Sequence, residues 1–245
     1  SSMANLQNHP IETVEEEAGV IIREYDVNPD SAGPGRWRGG AGQIITVEIT
    51  RDGSSFLARG MDRLRFPAFG VMGAKPAKLF QALLNRGRPD ERQLTKIDTL
   101  AVKKGDTLTL LRPGGGGYGD PCLRPADKVR QDVKMGFVSR QGARDDYGVV
   151  ITADGGLDEE ATKRLRAERV RDNVHAEFDF GPEREAWEEV FDDKTMCKMV
   201  EGLMGLPKSV RAERRKWIFE QVVPDLERAG RGWITDAIPD ADAAK

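Results

Sequence analysis

The stretch Arg112-Pro113-Gly114-Gly115-Gly116-Gly117-Tyr118-Gly119-Asp120-Pro121 decides how this 245-residue chain is expected to fold. Five of the six positions from 114 to 119 are glycine, which is costly to order in a helix or a regular strand. Such a run lets the backbone reach positive φ and come close to another surface. The preceding residues, Val102–Leu111, predict a turn and then a strand. We therefore expect an irregular loop after a strand, with Tyr118 standing out from it.

This segment, Arg112–Pro121, is called the glycine loop below. A nucleotide-binding loop is disfavoured, because a phosphate loop needs Lys and Ser or Thr directly after its glycines. Here Asp120 follows, and its carboxylate repels phosphate. Two interpretations stay open: a structural or interface loop, and a loop that touches a non-phosphate substrate. For both, the candidate residues are Gly115, Gly116, Tyr118 and Asp120, and the two glycines are expected to supply a backbone conformation, positive φ, that a β-branched residue disfavours.

A second candidate site lies around Trp37, which has an arginine on either side, Arg36 and Arg38. Two guanidinium groups beside an indole can bind an anion or stack on a planar ring. The alternative is that these arginines hold a loop onto an acidic neighbour. Together with the glycine loop, these residues form the predicted substrate or interface loop.

Composition limits the classes of function. A net charge of −3 gives no general affinity for polyanions, so no nucleic-acid partner is expected. No apolar run is long enough to span a membrane. The chain has two cysteines, Cys122 and Cys197, and no signal peptide, which fits a reducing cytoplasm. With two histidines besides, no metal site is expected within this chain.

The pattern predicts an α+β fold: a β-rich domain with irregular Gly/Pro loops, followed by a helical C-terminal tail. Residues 1–174 are expected to be mainly β to about residue 121 and α/β beyond it. The clearest strand is Gln43–Thr50, where Ile45, Val47 and Ile49 alternate with polar residues, and we expect Ser54–Arg59 to pair with it as a hairpin. Residues 175–245 predict helices that dock onto other subunits.

The order of the motifs resembles the C-terminal part of the hydantoinase B family, over roughly residues 2 to 170. That family includes the B-type subunits of N-methylhydantoinase and 5-oxoprolinase and those of acetone and acetophenone carboxylases. One departure is His9, where Thr is usual before the proline. The motifs that carry the resemblance are Ser2-x-Ala4-Asn5-x-x-Asn8-x-Pro10-Ile11-Glu12, Pro29–Gly40, Arg65–Pro76, Pro113–Pro121, Asp132–Ser139 and Asp146–Val150.

The resemblance implies a subunit of a multi-subunit ATP-dependent enzyme. In such a complex a hydantoinase A-type subunit binds ATP with Mg and phosphorylates a carbonyl or enol oxygen, and the B-type subunit shapes the site of the second step. The family's His and Asp metal ligands lie in the N-terminal part of B-type subunits. The resemblance thus implies Zn or Mn in the complex but not in this chain, and it makes that N-terminal part a partner. The start at Ser1 is expected to reflect a split gene or processing.

Three functions follow from the resemblance. The helical tail favours a ketone carboxylase of the acetone or acetophenone type that uses bicarbonate, since carboxylase subunits of the family tend to be longer. The alternatives are an ATP-dependent hydantoinase or 5-oxoprolinase that opens a cyclic amide, and a non-catalytic assembly subunit. No catalytic residue is assigned by the sequence.

Overall fold

The computed structural model of the chain describes residues 9–57, 61–94, 99–169 and 177–222. Its strands are β1 (Val20–Asn28), β2 (Gly42–Ile49), β3 (Ser54–Phe56), β4 (Gly70–Val71), β5 (Gln81–Leu84), β6 (Arg92–Leu94), β7 (Leu100–Val102), β8 (Thr107–Leu111), β9 (Val150–Ile151), β10 (Leu157–Asp158) and β11 (Phe178–Asp179). Its α-helices are α1 (Ile11–Ala18), α2 (Ala126–Lys134), α3 (Arg140–Tyr147), α4 (Glu159–Arg169), α5 (Pro182–Val190), α6 (Asp193–Met204) and α7 (Lys208–Val222). The predicted α+β class, with helices in the C-terminal half, is confirmed.

An antiparallel sheet of five strands, in the order β1-β2-β8-β5-β6, supports the glycine loop. The predicted strand around Ile45 and Val47 is β2, and it pairs with β1 on one side and β8 on the other. The hydroxyl oxygens of Thr46 and Thr109 lie 3.0 Å apart across β2 and β8. Because β8 leads straight into the glycine loop, this central pair of strands fixes where the loop begins.

The predicted hairpin between β2 and the segment after Gly53 is wrong. Ser54–Phe56 forms β3, but β3 pairs with β7, whose residues are about 45 positions further along the chain. The turn before β3 does fit the expectation, since Gly53 has φ of 70°. A core cluster of Phe80, Ala82, Leu94 and Leu108 packs against Phe56 among others, so burial of Phe56 competes with the local pairing.

The segment after the glycine loop packs α2 and α3 against β9 and β10 around a second core. Val129 is fully buried and lies with Val138, Ala143, Tyr147 and Val149. The Ser139 hydroxyl accepts a hydrogen bond from the N–H of Gly142 and so caps the start of α3. Helix α2 of this second core also carries Asp132, whose carboxylate pairs with Arg38.

The last described helices, α5 to α7, form a third core of Trp187, Val190, Phe191 and Val222, with Phe66 packed against it. The tail also joins the β-rich part through β11, which pairs with β4. The docking of residues 175–245 onto other subunits stays a prediction. Residues 175–176 and 223–245 of this range lie outside the described residues. No helix in the described part of the chain is long and apolar enough to cross a bilayer.

Candidate functional site

The glycine loop lies between two segments of backbone, residues 31–42 and residues 68–78, and is hydrogen-bonded to both. Five of its N–H groups donate to carbonyl oxygens of these segments. The N···O distances are 3.1, 2.9, 3.3, 3.0 and 2.8 Å for Gly114, Gly115, Gly117, Tyr118 and Gly119. Because each of these donors already has a protein acceptor, it is not available to phosphate oxygens. The backbone geometry therefore agrees with the sequence in disfavouring a nucleotide loop.

Close backbone approach, rather than positive φ, explains most glycines of the loop. Among the five, only Gly119 has a positive φ, of 72°. A Cβ added at Gly116 would lie 1.8 Å from the carbonyl oxygen of Phe69, and one at Gly114 would lie 2.4 Å from that of Gly40. Gly115 is different, since its nearest neighbour would be a backbone nitrogen at an ordinary 3.6 Å. The expectation of positive φ at Gly115 and Gly116 is therefore wrong. Of these two glycines, only Gly116 has no room for a side chain.

The facing segment carries matching glycines. A Cβ added at Gly39 would lie 2.0 Å from the carbonyl oxygen of Gly115, and one at Gly33 would lie 2.5 Å from the nitrogen of Gly117. At Gly42 the added atom would lie 2.0 Å from the carbonyl oxygen of Arg112. The two segments thus touch along their backbones, with no room for side chains between them. This contact explains why the sequence places glycines at both Pro29–Gly40 and Arg112–Pro121.

Arg38 points inward and belongs to a buried ion cluster. Its Nε lies 3.4 Å from Oδ2 of Asp132, and its guanidinium lies 4.8 Å from the centre of the Phe137 ring. Arg124 binds the same carboxylate, with Nη2 at 2.8 Å and Nε at 3.0 Å from Oδ2. The three charged side chains are only 10–15% exposed. One carboxylate therefore holds two guanidinium groups, which supports the interpretation that Arg38 fixes a loop onto an acidic neighbour.

Arg36, in contrast to Arg38, is exposed to solvent. Its backbone takes part in the scaffold, because its N–H donates to Gly119 and its carbonyl accepts from Nη1 of Arg124 at 3.1 Å. The two arginines around Trp37 thus have unlike surroundings. The structure brings Arg36, but not Arg38, to the outer surface beside the glycine loop.

Tyr118 and Trp37 form the outer surface of the loop pair. They are opposite each other in an antiparallel bridge, with each N–H 3.0 Å from the other's carbonyl oxygen. Tyr118 is also the bridge partner of Val71. The Tyr118 side chain is 53% exposed and that of Trp37 is 63% exposed. The prediction that Tyr118 stands out from the loop is confirmed by this exposure.

Asp120 closes the loop as a cap. Its Oδ1 accepts a hydrogen bond of 2.7 Å from the N–H of Cys122, at the start of a short 3₁₀ helix (Pro121–Leu123). Asp120 is buried. Burial raises the pKa of the Cys122 thiol, and the carboxylate of Asp120 raises it further. Since the thiolate is the nucleophilic form, this environment gives Cys122 no activation.

Three residues of this region were not predicted from the sequence as site residues: Asp132, Arg124 and Tyr147. Asp132 lies on the buried face of α2, three residues after Val129, and that spacing is the signal that could have identified it. Tyr147 is 2% exposed, and burial raises the pKa of its phenol well above the ordinary value, against the opposing effect of Arg124 and Arg38. The phenol is therefore neutral beside the ion cluster.

Potential metal ligands are not clustered in the described ranges. Among residues 9–57, 61–94, 99–169 and 177–222, no three His, Cys, Asp or Glu side chains are grouped so that they could hold a metal ion. These residues do not fit the Zn or Mn that the resemblance implies for the complex. No chemical step is therefore assigned to a metal on this chain.

Comparison with known proteins gives a family match for the first half of the chain. The model of the Hydantoinase B/oxoprolinase family matches residues 1–121. This match contains the glycine loop and both segments on which it packs. The beta subunit of caprolactamase from Pseudomonas jessenii is 37% identical over 166 residues, which is 66% of this chain and 28% of that subunit. The chain therefore spans little more than a quarter of this relative's length.

Two solved structures resemble the chain. The crystal structure of ATP-dependent caprolactamase from Pseudomonas jessenii has a TM-score of 0.54 and 32% identity, and it matches 66% of this chain and 28% of its own. A nucleotide-free acetone carboxylase structure has a TM-score of 0.55 at 19% identity, and it matches 97% of this chain and 36% of its own. At that identity the second match shows a shared fold.

Proposed function

Because residues 1–121 belong to the Hydantoinase B/oxoprolinase family, we propose that this chain is a B-type subunit, or part of one, in an ATP-dependent multi-subunit enzyme. The proposed reaction is opening of a cyclic amide, such as a lactam or a hydantoin. The observation that carries it is the 37% identity to the caprolactamase beta subunit over residues that include the glycine loop. That subunit is named after caprolactamase, an enzyme whose name denotes action on a lactam.

The proposed chemistry uses ATP on a partner subunit of the A type, with Mg. Transfer of the terminal phosphoryl group of ATP to the amide oxygen releases ADP and makes the amide carbon more electrophilic. Water then adds to that carbon, the ring C–N bond breaks as the departing nitrogen takes up a proton, and a second water releases phosphate from the resulting acyl phosphate. The contribution of this chain is architectural. Its glycine loop and ion cluster hold backbone segments that shape the second site, and none of its described side chains is assigned a proton transfer. Positioning of reacting groups can supply a large part of a rate enhancement.

A second candidate is carboxylation of a ketone with bicarbonate. The observation that favours it is coverage: acetone carboxylase shares the fold across 97% of this chain, whereas the caprolactamase match covers 66%. The sequence also connected the helical tail with carboxylases. The identity of 19% limits this support to the fold.

The experiment that separates the candidates is purification of the intact complex from its native source through a tag on this chain. ATP hydrolysis is then measured with caprolactam, hydantoin and 5-oxoproline, and separately with acetone or acetophenone plus bicarbonate. Ring opening coupled to ATP hydrolysis is the expected result. Carboxylate formation from a ketone would replace the first candidate by the second. A complex that hydrolyses ATP with none of these compounds would contradict both.

A further inference from the structure

The outer surface of the glycine loop belongs to a larger apolar area. Five aromatic side chains that are 42–63% exposed lie across four segments of the chain. We call this area the aromatic face; its members are Trp37, Phe69, Tyr118, Phe178 and Phe180. Solvated surfaces of single-domain proteins seldom carry a contiguous apolar patch of this kind without a function.

The backbone pairing makes the face continuous. Trp37 is bridged to Tyr118, Tyr118 to Val71, and Val71 to Phe178. Residues that are opposite each other in such pairs project from the same side of a sheet. Beyond Phe178 the face extends through ring contacts, since the centroids of Phe69 and Phe178 are 5.8 Å apart and those of Phe69 and Phe180 are 5.4 Å apart.

The face is also held rigid. The N–H of Gly119 donates to Val71 at 2.8 Å, and that of Met72 donates to Glu177 at 2.8 Å, in addition to the two bonds between Trp37 and Tyr118. A surface whose backbone is already fixed loses little conformational entropy on binding. Its composition of Trp, Tyr and Phe, with the exposed Arg36 next to Trp37 in the chain, is typical of the buried centre of a protein–protein interface.

The apolar area matches a protein partner. With half of the ~150–250 Å² of each aromatic side chain exposed, the five of them present about 500 Å². One side of a stable interface buries ~800 Å², so this face supplies most of the apolar part of such a side.

We propose that the aromatic face packs against the remaining part of a B-type subunit, an inference that rests on the proposed function. Three of its members, Trp37, Phe69 and Tyr118, lie within the family segment 1–121. In the caprolactamase beta subunit the matched segment is 28% of the polypeptide, so most of that subunit lies outside it. Where the two parts share one polypeptide, covalent connection gives them a high effective concentration. The aromatic face is therefore covered by its own subunit before any other.

The test is site-specific photocrosslinking in the native host. Trp37 and Phe178 are replaced, one at a time, by benzoylphenylalanine in the full chain, and the cross-linked peptides are sequenced by mass spectrometry. The expected adduct is with B-type sequence outside these 245 residues, in the same or a separate polypeptide. Met135, which is 59% exposed and outside the face, is the control position and should give at least about tenfold less of this adduct.

Other outcomes overturn the inference. Adducts with an A-type subunit, with a second copy of this chain or with the chain's own residues would each assign the face to a different occupant. Equal adduct yields at Met135 and Trp37 would show a non-specific contact. The proposed function is tested separately, since an intact complex that couples ATP hydrolysis to ring opening would retain it even if the cross-links contradicted the face. Conversely, the expected adduct in a complex that does not couple ATP hydrolysis to ring opening would support the aromatic face and contradict the proposed function.

Discussion

The inner and outer sides of the paired segments 31–42 and 112–121 differ in what their residues do. On the inner side, Gly116 leaves no room for a side chain and Arg38 is held in a buried ion cluster. On the outer side, Tyr118 and Trp37 are more than half exposed. The inner residues determine the backbone path, and that path places the outer residues. Neighbouring positions of one motif can therefore serve stability and recognition separately.

Loss of the shared carboxylate should give the largest effect. Asp132→Ala leaves Arg38 and Arg124 beside each other with no counter-charge, and we expect a loss of about 3–5 kcal/mol in unfolding free energy. The measurement is urea unfolding followed by circular dichroism. Arg38→Ala is the matched variant, because it leaves one ion pair between Arg124 and Asp132. If Arg38→Ala proved as damaging as Asp132→Ala, charge balance would not explain the cluster.

The next largest effect is expected for Gly116→Ala. The added methyl group would meet the Phe69 carbonyl at 1.8 Å, and the backbone must move to relieve that overlap, at a cost of about 3 kcal/mol. Gly115→Ala provides the control, since its methyl group has ordinary space and should change stability by less than about 1 kcal/mol. Both values come from the midpoint of urea unfolding. Equal destabilisation by the two substitutions would mean that close approach is not the reason for these glycines.

A substitution on the outer side should affect assembly instead of folding. Trp37→Ser removes the most exposed member of the aromatic face, and association should weaken by about 2 kcal/mol while unfolding changes by less than about 1 kcal/mol. Co-purification with the rest of the complex and urea unfolding measure the two quantities on the same protein. A large fall in stability with normal assembly would place Trp37 with the inner residues.

The smallest effect is expected for Tyr118→Phe, which keeps the ring and removes one hydroxyl. A single ordinary hydrogen bond would account for about 0.5–1.5 kcal/mol. In the assembled complex we therefore expect the catalytic rate to change by less than about tenfold. If the phenol instead contacted the reacting carbonyl, the rate would fall by about 100-fold or more. Steady-state kinetics of the purified complex distinguish these results.

The sequence predicted elements whose signals are local. The alternation of Ile45 and Val47 identified β2, and the run of glycines identified the irregular loop after β8. Long-range contacts were missed. The pairing of β3 with β7 depends on burial of Phe56 in a core assembled from distant strands, and Arg38 meets Asp132 across 94 residues of chain. The residue pattern within β3, or around Arg38, contains no signal for a partner so far along the chain.

For the candidate site, the glycine content located the loop but did not show why glycine is required there. The glycine run was predicted to be a loop, and the close approach expected for it is confirmed at Gly114, Gly116 and Gly117. Positive φ was expected as well and is found only at Gly119. The difference arises because glycine serves both purposes, and only the facing segment, with its own glycines at 33, 39 and 42, shows which one applies.

Hydrogen exchange of the loop amides tests the central claim most directly. The claim is that the glycine loop is a fixed part of the fold whose N–H groups are bonded to neighbouring backbone. Amides of Gly114, Gly115, Gly117, Tyr118 and Gly119 should exchange with opening free energies within about 1–2 kcal/mol of global unfolding, as strand amides do. Gly53, in an exposed turn, should exchange far faster. Rapid exchange of the five loop amides, at the rate of Gly53, would show a flexible linker and contradict the claim.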